Sequence, residues 1–219
     1  NLLEAVRISK IDPKIHICSS SEVYGQVYDH ETPIKETNPL RPVSPYAVSK
    51  VGEDMVAYQY YQSYGLKIIR TRMFTHTGPR RGAVFAEGSF AKQIAQIEKG
   101  IHPDGILKTG NLDSVRTFSD VRDAVRAYWL LLEKCKIGEV YNIGGNETLK
   151  IGEMLDLLIS MSYSKIKYKT DKKLLRASDV TLQIPDSDKF RKHTKWKPVY
   201  TVEQTLKDLL NFYRESLND

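Results

Sequence analysis

The stretch KIHICSSSEVYG, residues 14–25, decides the fold of this chain. Its first half, 14–19, is a short apolar run that ends in small polar residues, which is the pattern of a buried strand in a parallel sheet. Ligands of open α/β sheets bind at the carboxyl ends of such strands. We therefore expect the hydroxyl groups that end this run to lie at a ligand-binding edge, where they can hydrogen-bond a substrate oxygen.

Strands and helices alternate on both sides of this stretch. Gly65 and Gly100 follow two of the predicted helices as C-caps, because glycine adopts the left-handed conformation that ends a helix. The fourth predicted helix carries an apolar stripe of Val121, Val125, Tyr128, Trp129 and Leu132. The pattern predicts helices at 1–9, 46–64, 90–99, 120–134, 152–160 and 202–217, and strands at 14–19, 66–74, 106–109, 139–144 and 166–169. This alternation predicts an α/β fold with a mostly parallel sheet.

Composition places the chain among ordinary globular proteins. Its 219 residues are enough for one domain, or for a domain with a smaller lobe. The charges, 33 basic and 27 acidic, are interspersed without the Lys or Arg run of a nucleic-acid-binding arm, and no stretch approaches the ~20 apolar residues that cross a bilayer. Two distant cysteines, Cys18 and Cys135, disfavour a disulfide framework and a zinc site. No signal peptide is visible, so a reducing cytoplasm is the expected compartment.

Tyr46 and Lys50, in the segment Tyr46-Ala-Val-Ser-Lys50, form the strongest local signal. Positions four apart share one face of a helix, so the phenol and the ammonium project together. A free phenol has a pKa near ~10, and a nearby ammonium lowers that pKa by stabilising the phenolate. Tyr46 is therefore a candidate proton shuttle between an alcohol and a ketone. The alternative, a surface tyrosine beside a solvated lysine, stays open on this motif alone.

Three motifs occur together and in a fixed order. They are the serine-rich strand end with Tyr24-Gly25, the segment 45–50 (PYAVSK), and a loop in which Arg72 precedes Gly78-Pro79. Through them nearly the whole chain resembles the extended short-chain dehydrogenase/reductases that act on nucleotide sugars. The resemblance implies a doubly wound, Rossmann-type parallel sheet with a smaller C-terminal α/β lobe that binds the substrate. It also implies a homo-oligomer, a dimer or a tetramer, whose contact is a four-helix arrangement that includes the predicted helix 46–64.

Within this family the chain is most similar to the GDP-mannose 4,6-dehydratases. The segments that carry this closer resemblance are Ser20-Ser21-Glu22, 76–82 (HTGPRRG), and 110–113 (GNLD) with Arg116 three residues on. Thr75 departs from the pattern, since the dehydratases have asparagine there. Residues 89–100 and 117–129 look more like the GDP-4-dehydro-6-deoxymannose reductases. A reductase, or another nucleotide-sugar epimerase, dehydratase or decarboxylase, therefore stays open, as does a degenerate scaffold that binds a nucleotide sugar without catalysis.

The resemblance assigns roles residue by residue. It implies catalytic roles for Ser20, Glu22, Tyr46 and Lys50, and cofactor contacts from Ser19, Tyr46, Lys50, Phe74, His76 and Arg81. It implies contacts to GDP-mannose from Ser21, Thr75, Asn111, Arg116, Arg176 and Asp179, and it implies no metal. NADP is the implied cofactor and NAD stays open, because the residues that separate the two are not in this sequence. Plain structural roles remain alternatives, with Glu22 capping a loop amide and each arginine pairing with a neighbouring carboxylate.

The sequence does not contain the Gly-x-x-Gly-x-x-Gly turn with which the family holds a dinucleotide. We expect about 100 leading residues of the dinucleotide-binding domain to be missing, and the first residue is Asn1 rather than Met. Residues 1–75, with 115–135, are predicted to be the remainder of that domain, and 76–114 with 136–219 the nucleotide-sugar lobe. Without the missing strands, 14–19 should leave an open sheet edge, which favours aggregation.

Overall fold

The structure, a computed structural model, describes residues 1–175 and 180–217. Its helices are α1 Leu2–Ser9, α2 Pro45–Tyr64, α3 Ala86–Glu98, α4 Val121–Lys134, α5 Ile151–Ser160, α6 Asp188–Thr194 and α7 Val202–Ser216. Its strands are β1 Ile15–Ser20, β2 Ile68–Met73, β3 His76–Thr77, β4 Ile106–Thr109, β5 Val115–Asp120, β6 Val140–Ile143, β7 Glu147–Lys150, β8 Lys167–Thr170 and β9 Leu182–Gln183. No helix within the described ranges is long and apolar enough to cross a membrane.

Strands β1, β2 and β6 form a parallel sheet in the order β1-β2-β6. In this register Ser20 lies opposite Met73, so the carboxyl ends of β1 and β2 meet at one edge. Every residue of β2 is buried, as is typical of the central strand of a parallel sheet. β1 has no strand on its other side among the described residues, and Cys18 in it is exposed. The predicted α/β fold with a mostly parallel sheet is confirmed.

Smaller sheets lie beside the first one. Strand β5 pairs in parallel with β3 and β9 and antiparallel with β7, while β4 and β8 form a parallel pair. The sequence analysis missed β5 and β7, which are largely polar strands; Thr117 and Thr148 join their hydroxyls across the pair at 2.7 Å. Strand β6, which the predicted division placed in the nucleotide-sugar lobe, pairs instead with β2 of the first sheet. The other boundaries of that division stay a prediction.

Three apolar clusters lie among the described residues, and the two larger ones support these sheets. The first lies among α3, α5 and α7, where Phe90, Leu155 and Leu209 are buried. The second lies between the first sheet and the helices α4 and α6, where Phe190 and Trp196 are buried. Helix α6 was not predicted, because its sequence, DKFRKHT, is polar apart from one aromatic residue. Burial of that residue against the sheet removes apolar area from water and holds the short helix in place.

The buried face of α4 differs from the predicted stripe. Val125 is 62% exposed and Trp129 is 66% exposed, so these two stripe residues do not face the core. Ala124, Ala127 and Leu131 are buried instead. They lie three and four residues apart, which puts them on one helical face, and the two small side chains leave room for close packing. The stripe residues Val121, Tyr128 and Leu132 are half-buried beside this face.

Helix α2 has the ends that its sequence predicts. The Oγ of Ser44 caps its first turn by accepting a hydrogen bond from Ala47 N, and Pro45 occupies the first helical position. Gly65 ends the helix in the left-handed conformation, with φ 69°, as expected. Helix α3 begins at Ala86, four residues before the predicted start.

Ile34 joins the loop that follows β1 to the segment that follows β9. Its backbone N–H donates to the carbonyl oxygen of Ile184 at 2.7 Å, and its own carbonyl accepts from Asp186 N at 2.8 Å. The side-chain amide of Asn142, on β6, donates to the same carbonyl at 2.8 Å. Ile34 is fully buried, so these bonds are shielded from water. Three segments distant in sequence are thereby joined near β6.

Candidate active site

The carboxyl end of β1 continues directly into a short 3-10 turn, Ser21–Tyr24. Ser20, the last residue of β1, caps this turn, because its Oγ accepts a hydrogen bond from the backbone N–H of Glu22 at 3.1 Å. Ser20 and Ser21 are buried and Glu22 is half-buried. The turn thus places the Glu22 backbone beside the Ser20 hydroxyl at the carboxyl edge of the first sheet.

Helix α2 packs against β1 and this turn. Tyr46, near the start of the helix, is 54% exposed and accessible to a ligand. Four residues on, the ammonium of Lys50 donates to the carbonyl oxygen of Cys18 at 2.9 Å. The hydroxyl of Ser19 donates to the carbonyl oxygen of Lys50 at 3.5 Å. These two bonds attach α2 to the end of β1, so the residues predicted to be catalytic come from two elements in contact.

Glu53 belongs to this group although the sequence analysis did not include it. Its Oε2 accepts a hydrogen bond from Lys50 Nζ at 2.6 Å, in a pair that is partly exposed to solvent. Residues three apart on a helix are neighbours, so the spacing of the two residues was the available signal. The carboxylate offsets part of the Lys50 charge that was expected to act on Tyr46.

Asp54, on α2, forms a second ion cluster, which is buried. Its two carboxylate oxygens accept hydrogen bonds from Arg70 and Arg72 of β2, each at 2.8 Å. The Asp54 side chain has no exposed area, and those of Arg70 and Arg72 are 7% and 5% exposed. Two arginines alternate on one face of an otherwise buried strand, which was a sequence signal for a buried acidic partner. The cluster fixes α2 against β2.

The ion cluster continues into a chain of hydrogen bonds below the site. Arg72 donates to the hydroxyl of Tyr24 at 3.1 Å and to the backbone carbonyl of Glu36 at 3.0 Å. The Tyr24 hydroxyl donates in turn to Oδ1 of Asn142 at 2.7 Å. Burial raises the pKa of the Tyr24 phenol to about 12, so this tyrosine stays a neutral donor. Arg72, from one of the family motifs, therefore has a structural role here.

The loop after β2 carries the next predicted residues. Phe74 is buried, and the carbonyl of Thr75 accepts a hydrogen bond from Ser119 N at 3.0 Å, which ties the loop to β5. The ring Nδ1 of His76 lies 3.1 Å from the carbonyl oxygen of Phe74, so Nδ1 carries the proton and donates it. Burial lowers the pKa of His76, which is therefore a neutral ring with a free Nε2 at neutral pH.

An open pocket of about 450 Å³ lies along the rest of this loop. Residues 76–82 and Val121 line it. Arg81 is part of this lining; its guanidinium lies 3.5 Å from the ring centroid of Phe85 and 3.9 Å from Glu87. The Nε of Arg81 is a buried donor without a hydrogen-bond partner in the described part of the chain. Arg80 and Arg81 both line the pocket, so it is suited to an anionic ligand, with Glu87 offsetting part of the Arg81 charge.

The predicted substrate residues lie on other elements. Arg116 is a half-buried residue of β5, and one of its guanidinium nitrogens donates to the carbonyl of Val115. The side chain of Asn111 bonds within its own loop, to Ser114 Oγ and Asp113 N. Arg176 and Asp179 lie outside the described residues. The roles assigned to all predicted site residues stay predictions.

The sequence of this chain is similar to those of enzymes that act on GDP-linked sugars. The family model described as GDP-mannose 4,6 dehydratase matches residues 1–209. A GDP-6-deoxy-D-mannose reductase from Pseudomonas aeruginosa is 30% identical over 219 residues, covering 100% of this chain and 72% of the relative. A GDP-mannose 4,6-dehydratase from Yersinia enterocolitica is 29% identical, covering 95% of this chain and 63% of the relative. The chain thus spans only part of the length of both relatives.

A solved structure shows the same architecture. The structure of RMD from Pseudomonas aeruginosa, complexed with NADPH, has a TM-score of 0.91 and 30% sequence identity to this chain. The match covers 98% of this chain and 71% of that one. The predicted Rossmann-type fold is therefore confirmed.

Proposed function

The chain belongs to the GDP-mannose 4,6-dehydratase family, and we propose that the complete protein is a nucleotide-sugar 4,6-dehydratase that converts GDP-mannose to GDP-4-dehydro-6-deoxymannose and water. The observation that carries the proposal is the turn after β1, which puts Glu22 next to Ser20 at the edge where α2 carries Tyr46. Loss of water needs an acid/base group in addition to the tyrosine, whereas epimerisation at C4 does not.

Tyr46 and Lys50 open the proposed reaction at C4 of the hexose. The phenolate of Tyr46 takes the proton of the O4 hydroxyl while hydride leaves C4, so the alcohol becomes a ketone. The Lys50 ammonium stabilises the phenolate by its charge, and the hydroxyl of Ser20 donates a hydrogen bond to O4.

Glu22 then acts as the base in the elimination of water from the sugar. The C4 ketone makes the hydrogen at C5 acidic, and the Glu22 carboxylate takes that proton. The same proton goes to the departing C6 hydroxyl, which leaves as water and produces a double bond between C5 and C6. The proton held by Tyr46 passes to C5 as hydride adds to C6. The products are the 4-keto-6-deoxy sugar and one water molecule, and no net oxidation occurs.

We propose NADP as the cofactor. A bound nicotinamide supplies the hydride chemistry by accepting hydride from C4 and returning it to C6. In this chain Lys50, His76 and Arg81 would contact it, and the pocket lined by Arg80 and Arg81 suits an anionic group. The Pseudomonas structure with NADPH bound supports the choice of NADP over NAD.

A second candidate is the reduction of GDP-4-dehydro-6-deoxymannose. The observation that favours it is the Pseudomonas reductase, to which this chain is 30% identical over its full length. Such an enzyme would use Tyr46 in the reverse sense, as the acid that protonates O4 while hydride adds to C4. It would not need Glu22 as a base.

The experiment uses the full-length protein with GDP-mannose and a catalytic amount of NADP. Wild type should release GDP-4-dehydro-6-deoxymannose, identified by mass spectrometry and NMR. The Glu22→Gln variant should still oxidise C4 of the sugar, so that near-ultraviolet absorbance of the reduced cofactor builds up on the enzyme. Elimination of water from the sugar should be at least about 100-fold slower than in wild type. Glu133→Gln changes an exposed carboxylate on α4 and serves as the matched control.

Two outcomes would contradict the dehydratase. In the first, Glu22→Gln dehydrates GDP-mannose at the wild-type rate. In the second, wild type leaves GDP-mannose unchanged but converts the 4-keto-6-deoxy sugar while consuming one equivalent of NADPH. The second outcome would establish the reductase.

We also propose that the protein self-associates through α1 and α2. The two helices pack together, with Arg7 over the ring of Tyr64 and the Tyr60 hydroxyl donating to Glu4. The outer face of α2 leaves Met55, Val56 and Tyr58 exposed. Such a face is suited to a two-fold contact with a second copy. A reducing cytoplasm is the proposed compartment, since both cysteines are free thiols.

A further inference from the structure

Gln183 is a buried amide whose polar groups are both unpaired. The residue is 1% exposed, and neither its Nε2 nor its Oε1 has a hydrogen-bond partner among the described residues. A buried amide of this kind destabilises a fold, because both the donor and the acceptor lose their water without replacement. An aliphatic side chain of similar size would avoid that cost. The amide therefore calls for a partner that comes from outside the described chain.

The position of Gln183 points to the nature of that partner. Gln183 lies on β9, directly opposite Arg116 of β5 in a parallel register. Residues opposite one another in a ladder project on the same face of the sheet, so the two side chains are neighbours. The family resemblance implies that Arg116 contacts the nucleotide sugar, and its guanidinium group suits the phosphate oxygens of the diphosphate. The Gln183 amide is thus beside the residue that would hold the diphosphate.

The segment after Gln183 also runs to the catalytic edge. Pro185 packs against Gly144 so closely that a Cβ on Gly144 would lie 2.4 Å from its Cγ, and the next atom met is the Cβ of Phe74. Phe74 and Gly144 directly follow β2, which pairs with β1, and β6, which pairs with β2. Two residues after Gln183, the chain therefore reaches the carboxyl ends of β2 and β6.

We propose that Gln183 is a specificity-determining residue that hydrogen-bonds a hydroxyl group of the bound nucleotide sugar. A hydroxyl both donates and accepts, which matches the carbonyl and the NH2 of one amide. The hydroxyl belongs either to the ribose or to the hexose, since both rings adjoin the diphosphate. This inference rests on the proposed function, because it takes Arg116 to be the diphosphate-binding residue.

The test compares Gln183→Leu and Gln183→Met with Gln93→Leu in the full-length protein. Gln93 is the matched control, because its amide is paired within the fold: Nε2 donates to Ser89 Oγ and to the carbonyl of Lys108, and Oε1 accepts from Lys108 N. The probes are GDP-mannose and GDP, with affinities measured by calorimetry and melting temperatures measured without ligand.

Both Gln183 variants should bind GDP-mannose about tenfold more weakly, the effect of about one lost hydrogen bond. Their melting temperatures should equal or exceed that of wild type, since no internal bond is lost. Gln93→Leu should show the reverse, with a lower melting temperature and unchanged affinity. An equal loss of GDP affinity assigns the hydroxyl to the ribose, and a loss confined to GDP-mannose assigns it to the hexose.

The inference is overturned if both Gln183 variants bind the two probes as wild type does. It is also overturned if they melt as early as Gln93→Leu, because the amide would then be paired inside the fold. If wild type binds neither probe, the proposed function fails and this inference fails with it. Wild-type binding with unchanged affinity in the variants refutes the inference alone.

Discussion

Replacing Asp54 by asparagine removes the carboxylate that two buried guanidinium groups share. Each oxygen of Asp54 accepts a hydrogen bond of 2.8 Å, one from Arg70 and one from Arg72. Asparagine keeps the shape but carries no charge, and its NH2 group faces a donor rather than an acceptor. The variant therefore leaves two positive charges in a site from which water is excluded, where both arginine side chains are at most 7% exposed.

The size of the effect follows from this burial. Breaking a buried pair by removing one partner destabilises proteins by about 3–5 kcal/mol. With a urea dependence of about 2–3 kcal/mol per molar, the midpoint of unfolding should fall by about 1–2 M. Asp12→Asn is the control, because Asp12 pairs with Lys67 at the surface, where the side chains are 69% and 40% exposed. An exposed pair contributes about 0–1 kcal/mol, so this midpoint should hardly move.

The assay is urea unfolding of the full-length protein, followed by circular dichroism. If Asp54→Asn lowers the free energy of unfolding no more than Asp12→Asn does, then the two arginines bind other partners or water. The cluster would then not hold α2 to β2. A large loss of stability would support that role, and it should be accompanied by reduced turnover because α2 carries Tyr46.

Further predictions concern the site, the pH dependence and the assembly. Tyr46→Phe should lower turnover at least about 100-fold, because it removes the proton acceptor; wild-type rates would refute the assignment. Burial lowers the pKa of His16 from 6.5 to about 4, so its protonation favours the unfolded state. Stability should fall by about 2 kcal/mol between pH 7 and pH 5, and urea titrations of His16→Gln should show a smaller fall. Sedimentation should find a homo-oligomer that Met55→Glu and Tyr58→Glu weaken; a monomeric wild type would contradict this.

The elements that could be predicted from the sequence are those with local signals. Strand β1 was visible as an apolar run, and α2 was visible from its length and from Gly65, which lies in the left-handed conformation. Tyr46 and Lys50 were found because their spacing of four fits a helical face. Ser20 and Glu22 became candidates through the resemblance of the segment Ser20-Ser21-Glu22 to the dehydratases, and their roles stay predictions. Each signal lies within a few consecutive residues.

The features that were missed depend on partners distant in sequence. Strand β5 is polar and is stabilised by its neighbours β3, β7 and β9, none of which a local pattern connects to it. The exposure of Trp129 follows from which face of α4 packs closely, and that depends on the surface opposite it. The sequence likewise does not show that Gln183 is unpaired, because this depends on whether the residues around it in the fold offer hydrogen-bond donors and acceptors.

The bonds around Ile34 have a mechanical consequence. Its N–H and C=O are both engaged with the segment after β9, and Asn142 of β6 holds the same carbonyl. A displacement of the segment after β9 relative to β6 must break these buried hydrogen bonds, which water does not replace. The loop after β1, strand β6 and the segment after β9 are therefore held around Ile34 as one mechanical unit, although they are distant in sequence.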